Sequence, residues 1–200
     1  MMNAMAKGGS ETKNVAGDGT IKTDTKTVAD LKEYIARDAQ NYPREAMRLM
    51  FTSNHDENSW AGTEFERLGD AVKTMAALTY VLPQGQPLVY TGQEIGYNDR
   101  FEFFEKDPVE AWEANEWTDY YKSLNAMRHS NPALCAGERG GEINYLEPQN
   151  ENVMAFSREV EGNKVVAIFN LTASPQKVQF AEPFEGYKCG LTGEEATLAQ

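Results

Sequence analysis

The sequence predicts an α/β segment followed by an all-β one, and three observations carry that prediction. Residues 47–52 form a mostly apolar run that ends in the polar corner Ser53-Asn54-His55-Asp56, as a parallel strand covered on both faces does at its carboxyl end. Phe65, Leu68, Val72, Met75, Thr79 and Leu82 then recur at three and four residues, the spacing of a packed helix. From Gly140 onward the apolar period changes from helical to two, which indicates antiparallel strands.

Taken in order, residues 1–26 are rich in Gly, Thr, Lys and Asp and read as a flexible leader or long loop, with a helix start at 1–7 as the alternative. Thr27 opens a helix with Val28, Leu31 and Ile35 on one face. It ends near Asn41-Tyr42-Pro43, because proline cannot continue it. After the strand at 47–52, Thr63 and Glu66 stand at capping-box spacing ahead of one long helix. Its second half, residues 75–82, is apolar almost all round and is expected between a sheet and other helices. Pro83 and Gly85 stop it, and residues 88–90 are expected as the next strand. An acidic, aromatic loop at 97–117 leads into a helix with Tyr120, Leu124 and Met127 inward, ended by Pro132. Residues 153–156 and 164–169 flank Glu161-Gly162-Asn163 as a hairpin, and 178–180 adds a strand. Pro175 and Pro183 fall where ladder bonds are not needed. This last part is expected to be an antiparallel sandwich, either complete or truncated at Gln200. The expected division is therefore 1–26, 27–135 and 136–200.

Composition narrows the partners. Asp and Glu number 31 against 19 Lys and Arg, a formal net charge of -12, and the basic residues do not cluster. Nucleic acid and anionic membrane surfaces are thus poor partners, since a phosphate backbone is held by grouped cations. The longest apolar run, at 75–82, falls well short of the roughly 20 residues a bilayer requires. Residues 1–10 carry no signal-peptide pattern, which leaves secreted, periplasmic and cytoplasmic locations open. Cys135 and Cys189 read as free thiols, and with only His55 and His129 in the chain a structural zinc site is not expected. A metal-dependent phosphohydrolase would need further His and Asp ligands before the His55-Asp56 pair, and no histidine precedes it.

The Asn54-His55-Asp56 corner supports two readings on pattern alone. In a barrel of parallel strands, catalytic residues sit at the carboxyl ends of strands. Alternatively, Asn54 and Asp56 cap the next helix while His55 is a surface histidine. A second segment, Gly85-Gln86-Pro87-Leu88-Val89-Tyr90-Thr91-Gly92-Gln93-Glu94-Ile95-Gly96, lies one helix beyond. Asn54-His55-Asp56, a helix, and then Gly-x-Pro-x-x-Tyr-x-Gly-x-Glu together resemble the seventh and eighth strands of the α-amylase family, glycoside hydrolase family 13. The resemblance runs from about Met47 through Arg128-His129-Ser130-Asn131-Pro132-Ala133-Leu134 and into a β-rich tail like that family's C-terminal domain.

The resemblance implies a partial (β/α)8 TIM barrel, its last two strands and three helices, followed by an antiparallel β-sandwich. It assigns Asp56 the part of transition-state stabiliser and His55 that of a donor to the same sugar's hydroxyls. Asn54 is expected to fix the strand end. Trp60 and Tyr97 border the expected cleft, with stacking on glucose rings and ordinary packing equally open. Glu94 matches a family position but is expected, with Tyr90 and Gln93, to brace a loop. Trp112 and Trp117 read as loop anchors. Where the family often has an arginine this chain has Glu57-Asn58-Ser59-Trp60, which leaves subsite preference open.

A retaining glycosidase needs two carboxyl groups about 5 to 5.5 Å apart, one nucleophile and one general acid/base. In the family these follow the fourth and fifth strands, and neither motif occurs in this sequence. The chain alone is therefore expected to be inactive and to need the N-terminal barrel portion, with an α-glucan or maltooligosaccharide as substrate. No cofactor is expected in this segment. Calcium is compatible with a full-length enzyme, although no calcium-loop pattern occurs here. The alternatives are a non-catalytic amylase-like carbohydrate-binding module and a structural module formed by the C-terminal strands.

Overall fold

The computed structural model describes residues 13–15, 21–23, 26–181 and 183–198. Where a leader was expected, β1 (Lys13–Val15) and β2 (Ile21–Thr23) pair antiparallel. Their apolar ends bracket the turn-favouring Gly17-Asp18-Gly19, a hairpin signal that the polar surroundings hid. The alternative helix start at 1–7 lies outside the described residues.

Thr27 caps α1 (Val28–Asn41) through a reciprocal box, its hydroxyl accepting from the Asp30 amide at 3.3 Å and its amide donating to the Asp30 carboxylate at 2.7 Å. Val28, Leu31 and Ile35 are buried as their spacing predicts. β3 (Arg48–Met50) lies parallel to β4 (Gly85–Pro87). The second strand is thus three residues earlier than residues 88–90. One further bond follows it, from the Leu88 amide to the Met50 carbonyl at 2.9 Å. The Tyr90 amide is then taken by the Gln93 side chain at 2.6 Å, which turns the chain out of the ladder.

The single long helix expected after Thr63 is two helices, α2 (Glu64–Leu68) and α3 (Val72–Val81), joined by a 3-10 turn at Gly69–Ala71. Gly69 takes φ +55, a backbone state that glycine adopts without strain and that closes α2. The apolar face survives the break, with Leu68, Val72, Met75, Leu78 and Leu82 all buried. Asn115 caps α4 (Glu116–Ser130), on which Tyr121 and Leu124 are buried. Trp117 packs edge-on against Phe65 at 5.2 Å and does anchor this region. Trp112 is 54% exposed and does not.

β5 (Ile143–Tyr145), β6 (Val153–Val160) and β7 (Asn163–Asn170) form a three-stranded antiparallel sheet, with Val160 opposite Asn163 across the expected hairpin turn. β8 (Phe184–Lys188) and β9 (Glu195–Leu198) form a separate antiparallel pair around Leu191-Thr192-Gly193-Glu194. Residues 178–180 are not a strand. There the Gln179 amide donates to the Pro148 carbonyl at 3.1 Å and makes no ladder.

One core joins the helical and strand parts, from Leu31, Leu78 and Leu124 to Leu134, Met154 and Phe156. A boundary at 135/136 therefore does not divide the packing. Arg158 on β6 locks the junction: only 1% exposed, it donates to the carbonyls of Val81 at 3.1 Å, Leu82 at 3.2 Å, Cys135 at 2.8 Å and Gly141 at 2.8 Å. Burial, then the neighbouring Arg128 charge, pushes its pKa down to about 10. Elsewhere the β3–β4 pair leaves apolar side chains uncovered, with Met47 62%, Leu49 59% and Val89 36% exposed.

Candidate functional site

The chain leaves β3 through Thr52 and Ser53, both buried, and turns at once. The Asn54 carboxamide oxygen accepts from the Glu57 amide at 2.8 Å, and the Asn58 amide donates to the Asn54 carbonyl at 2.9 Å. Asn54 is therefore the capping residue of the corner. Asp56 makes no cap bond. The turn throws both neighbouring side chains outward, with His55 65% and Asp56 64% exposed and His55 Nε2 3.6 Å from the Asp56 carboxylate. A π-type turn at Glu57–Ala61 follows and closes on Gly62 at φ +117, where any Cβ would meet the Glu66 carboxylate at 2.8 Å.

Beneath the corner is a buried polar network. The Glu64 carboxylate accepts from the Thr52 hydroxyl at 3.0 Å and from the Gln93 amide nitrogen. Burial pushes Glu64 up from the ordinary range, against hydrogen bonds from Thr52 and Gln93 and the Arg67 charge. The Arg67 guanidinium donates to the carbonyls of Thr52 at 2.6 Å and Gly62 at 2.8 Å and lies 3.3 Å from the Glu57 carboxylate. Gln93 spans both strand ends, because its nitrogen also reaches the Thr52 hydroxyl at 2.7 Å while its oxygen holds the Tyr90 amide at 2.6 Å. The corner is thus fixed from below, with its charged side chains left to solvent.

The loop after β4 is pinned to the same turn. Asn58 donates to the Asp99 carbonyl at 3.2 Å and accepts from the Phe101 amide at 2.8 Å. The Thr63 hydroxyl donates to the Asn98 side chain at 2.6 Å. Arg100 forks onto Glu66 at 2.8 and 3.0 Å, and that guanidinium, with the Thr63 amide, holds the Glu66 carboxyl down at about 2.

Of the residues singled out from sequence, His55, Asp56 and Trp60 share one exposed face, with Asn54 fixing their backbone. Trp60 is 63% exposed and packs on Phe103, whose ring also meets His55. Tyr97 takes its ring partner elsewhere, stacking on Phe101 at 5.3 Å, and Tyr90 meets the same ring edge-on at 5.9 Å. Glu94 is half-buried with one carboxylate oxygen, Oε2, lacking a hydrogen-bond partner. Sequence reasoning passed over Glu64, Arg67 and Asn58. Nothing local marks them, since charges at i and i+3 ordinarily lie on a helix's solvent face and their burial here is set by tertiary packing. Among the described residues, no group of three or more His, Cys, Asp or Glu is placed to hold a metal ion. No described helix is long and apolar enough to cross a membrane.

An exposed carboxylate and imidazole thus stand together at a parallel strand's carboxyl end, on an α/β frame continued by antiparallel strands. The family model of the alpha amylase catalytic domain matches residues 7–133, and the chain belongs to that family. It is 29% identical over 141 residues to alpha-amylase MalA of Haloarcula japonica, which takes in 68% of this chain and 20% of that protein. It is 30% identical over 128 residues to neopullulanase 2 of Thermoactinomyces vulgaris, 60% of this chain and 21% of that one. Among solved structures, the maltogenic alpha-amylase AmyB of Thermotoga neapolitana matches with a TM-score of 0.66 at 19% identity, over 87% of this chain and 42% of that one. The debranching enzyme of Nostoc punctiforme matches with a TM-score of 0.62 at 18% identity, over 86% and 36%. The fold likeness therefore extends past residue 133 into the antiparallel strands. The chain spans about a fifth of the length of the curated relatives it matches.

Proposed function

We propose that this chain supplies the seventh and eighth strands of a (β/α)8 barrel and the following β-sandwich of a retaining α-glucan-active enzyme, of the α-amylase kind. The observation that carries this is the corner itself: His55 and Asp56 stand exposed side by side at a strand end locked from below by Glu64, Arg67 and Gln93. The uncovered Met47, Leu49 and Val89 support it, because among the described residues β3 and β4 each have one strand neighbour, with apolar faces that further barrel strands would cover.

In this reading a glucose unit of an α-glucan or maltooligosaccharide sits against the corner. As its glycosidic bond breaks, the ring flattens and positive charge develops at the anomeric carbon and ring oxygen. Asp56 accepts hydrogen bonds from the ring hydroxyls, and its charge faces the developing cation, so its contribution grows toward the transition state. His55 donates to hydroxyls in ground and transition state alike. Asn54 keeps the turn in register. Nucleophile and general acid come from strands outside this sequence, so no bond to carbon forms on any residue here. Starch and a chromogenic maltoside, offered to the mass-verified 200-residue chain, are expected to show no turnover above background. Measurable turnover would refute this division of roles.

A further inference from the structure

Phe103 and Phe104 lie on the loop between β4 and α4, Phe103 against the corner's His55 and Phe104 one ring further out. Phe104 is 81% exposed and Phe103 37%, beside Trp60 at 63%. The rings nevertheless form one connected series. From His55 to Phe103 the centroids are 5.7 Å apart, from Phe103 to Trp60 5.3 Å, from Phe103 to Phe104 4.8 Å and from Trp60 to Phe104 6.4 Å. They make an apolar ridge that starts at the imidazole of the corner and leads away from it.

Leaving aromatic surface in water forgoes about 25 cal/mol for each Å² that burial would have gained. On a loose loop such rings would fold back onto the protein. This loop is held instead, by both bonds of Asn58, by the Arg100–Glu66 fork and by the Glu102 amide donating to Asp107 at 2.9 Å. The rings are thus kept exposed on a fixed support.

We propose that Trp60, Phe103 and Phe104 are a stacking platform for the glucose units next to the one held at His55 and Asp56, and that the platform selects longer α-glucans over disaccharides. This rests on the function proposed above. A pyranose offers apolar C–H faces and a rim of hydroxyls, and the ridge meets the first while the adjoining imidazole and carboxylate meet the second. Asp56, Glu102 and Glu105 around the ridge suit a neutral polyhydroxylated chain and repel a polyanion. Maltose, with a single glucose beyond the unit at the corner, reaches less of the ridge than a longer chain does.

Isothermal titration of the whole chain with maltose and with maltoheptaose tests this. Phe104 is 81% exposed, so Phe104→Ala is expected to leave the fold intact. It is expected to weaken maltoheptaose binding about tenfold, the loss of one good ring contact, and maltose binding by less than about twofold. Phe103→Ala should follow the same pattern, while His55→Ala and Asp56→Asn should weaken both sugars. If the corner variants weaken binding and Phe104→Ala does not, the platform is overturned and the proposed function stands. Equal losses for both sugars also overturn it. Self-association that Phe104→Ala abolishes, with no change toward sugar, would assign the ridge to a protein partner and overturn it. If the wild-type chain binds neither sugar, the platform, which lies wholly within this chain, is overturned, while the proposed function, whose site draws on further barrel strands, stands.

Discussion

Replacing Arg158 by Met keeps the apolar stem of the side chain and removes the guanidinium that joins four carbonyls from three segments. Val81 and Leu82 end helix α3, while Cys135 and Gly141 belong to the approach to the β5–β6–β7 sheet. A hydrogen bond from a charged donor contributes about 1.5 to 3 kcal/mol, and a buried carbonyl left unsatisfied costs about 1 to 3. Against this, the variant no longer buries a cation whose pKa is already down to about 10. With that offset, and with partial rehydration of the freed carbonyls, the net loss should be about 3 to 5 kcal/mol. Small domains are stable by only about 5 to 15 kcal/mol, so the urea midpoint should drop steeply. Tryptophan fluorescence reports on the helical part, where Trp117 packs against Phe65, and denaturant-dependent amide exchange of β6 and β7 reports on the sheet. Both transitions should move together, because Arg158 ties helix end to sheet. Arg158→Lys, with one point charge in place of a fork, should lose roughly half as much. A loss below about 1 kcal/mol, or transitions that separate in the wild type, would refute the view that this residue couples the two parts.

Glu64 and Glu66 respond to pH in opposite senses. Burial raises Glu64 above its ordinary 4.5, so the folded protein holds a proton that the unfolded chain releases; stability is full below 4.5 and declines as pH rises through the raised value. Glu64→Gln is permanently neutral and should flatten the urea midpoint against pH above 4.5; an unchanged slope would count against a buried carboxyl at this site. Glu66 is depressed to about 2, so the support it lends the Arg100 loop is complete above 4.5 and is lost as pH falls toward 2. The protection factors of amides at residues 101–104, taken relative to the intrinsic exchange rate at each pH, should fall over that interval, and Glu66→Gln should show the lower protection already at neutral pH.

The helices were legible because their signals are local. Thr27 and Asp30, and the spacing of Val28, Leu31 and Ile35, specify α1 within its own residues. The long helix broke at Gly69 because an isolated glycine inside an apolar period is read as tolerated, whereas here it adopts a left-handed state. β4 was misplaced because the apolar Leu88-Val89-Tyr90 looks more like a strand than Gly85-Gln86-Pro87 does. Pairing with β3 decides the ladder, and pairing is not written in composition. The His55-Asp56 corner was visible as a polar interruption after an apolar run. What holds it was not, since Glu64, Arg67 and Gln93 meet only after residues 29 positions apart, such as Glu64 and Gln93, have folded together. Tyr97 was grouped with the cleft on sequence position alone. In the structure its ring partner is Phe101.

Asp56 carries the account, and its replacement by Asn in a polypeptide that supplies the remaining barrel strands tests it most directly. The substitution keeps size and hydrogen-bonding capacity and removes the charge that, in the proposed function, faces the developing cation. Because Asp56 takes no cap bond and is 64% exposed, thermal unfolding should be unchanged. Steady-state kinetics on a maltooligosaccharide should show kcat reduced by about a hundredfold or more, the loss typical of a preorganised electrostatic group. His55→Ala, run alongside, should raise KM at least as clearly as it lowers kcat. A near wild-type kcat for Asp56→Asn at unchanged stability would contradict the account and leave this corner as a capped turn with no part in the chemistry.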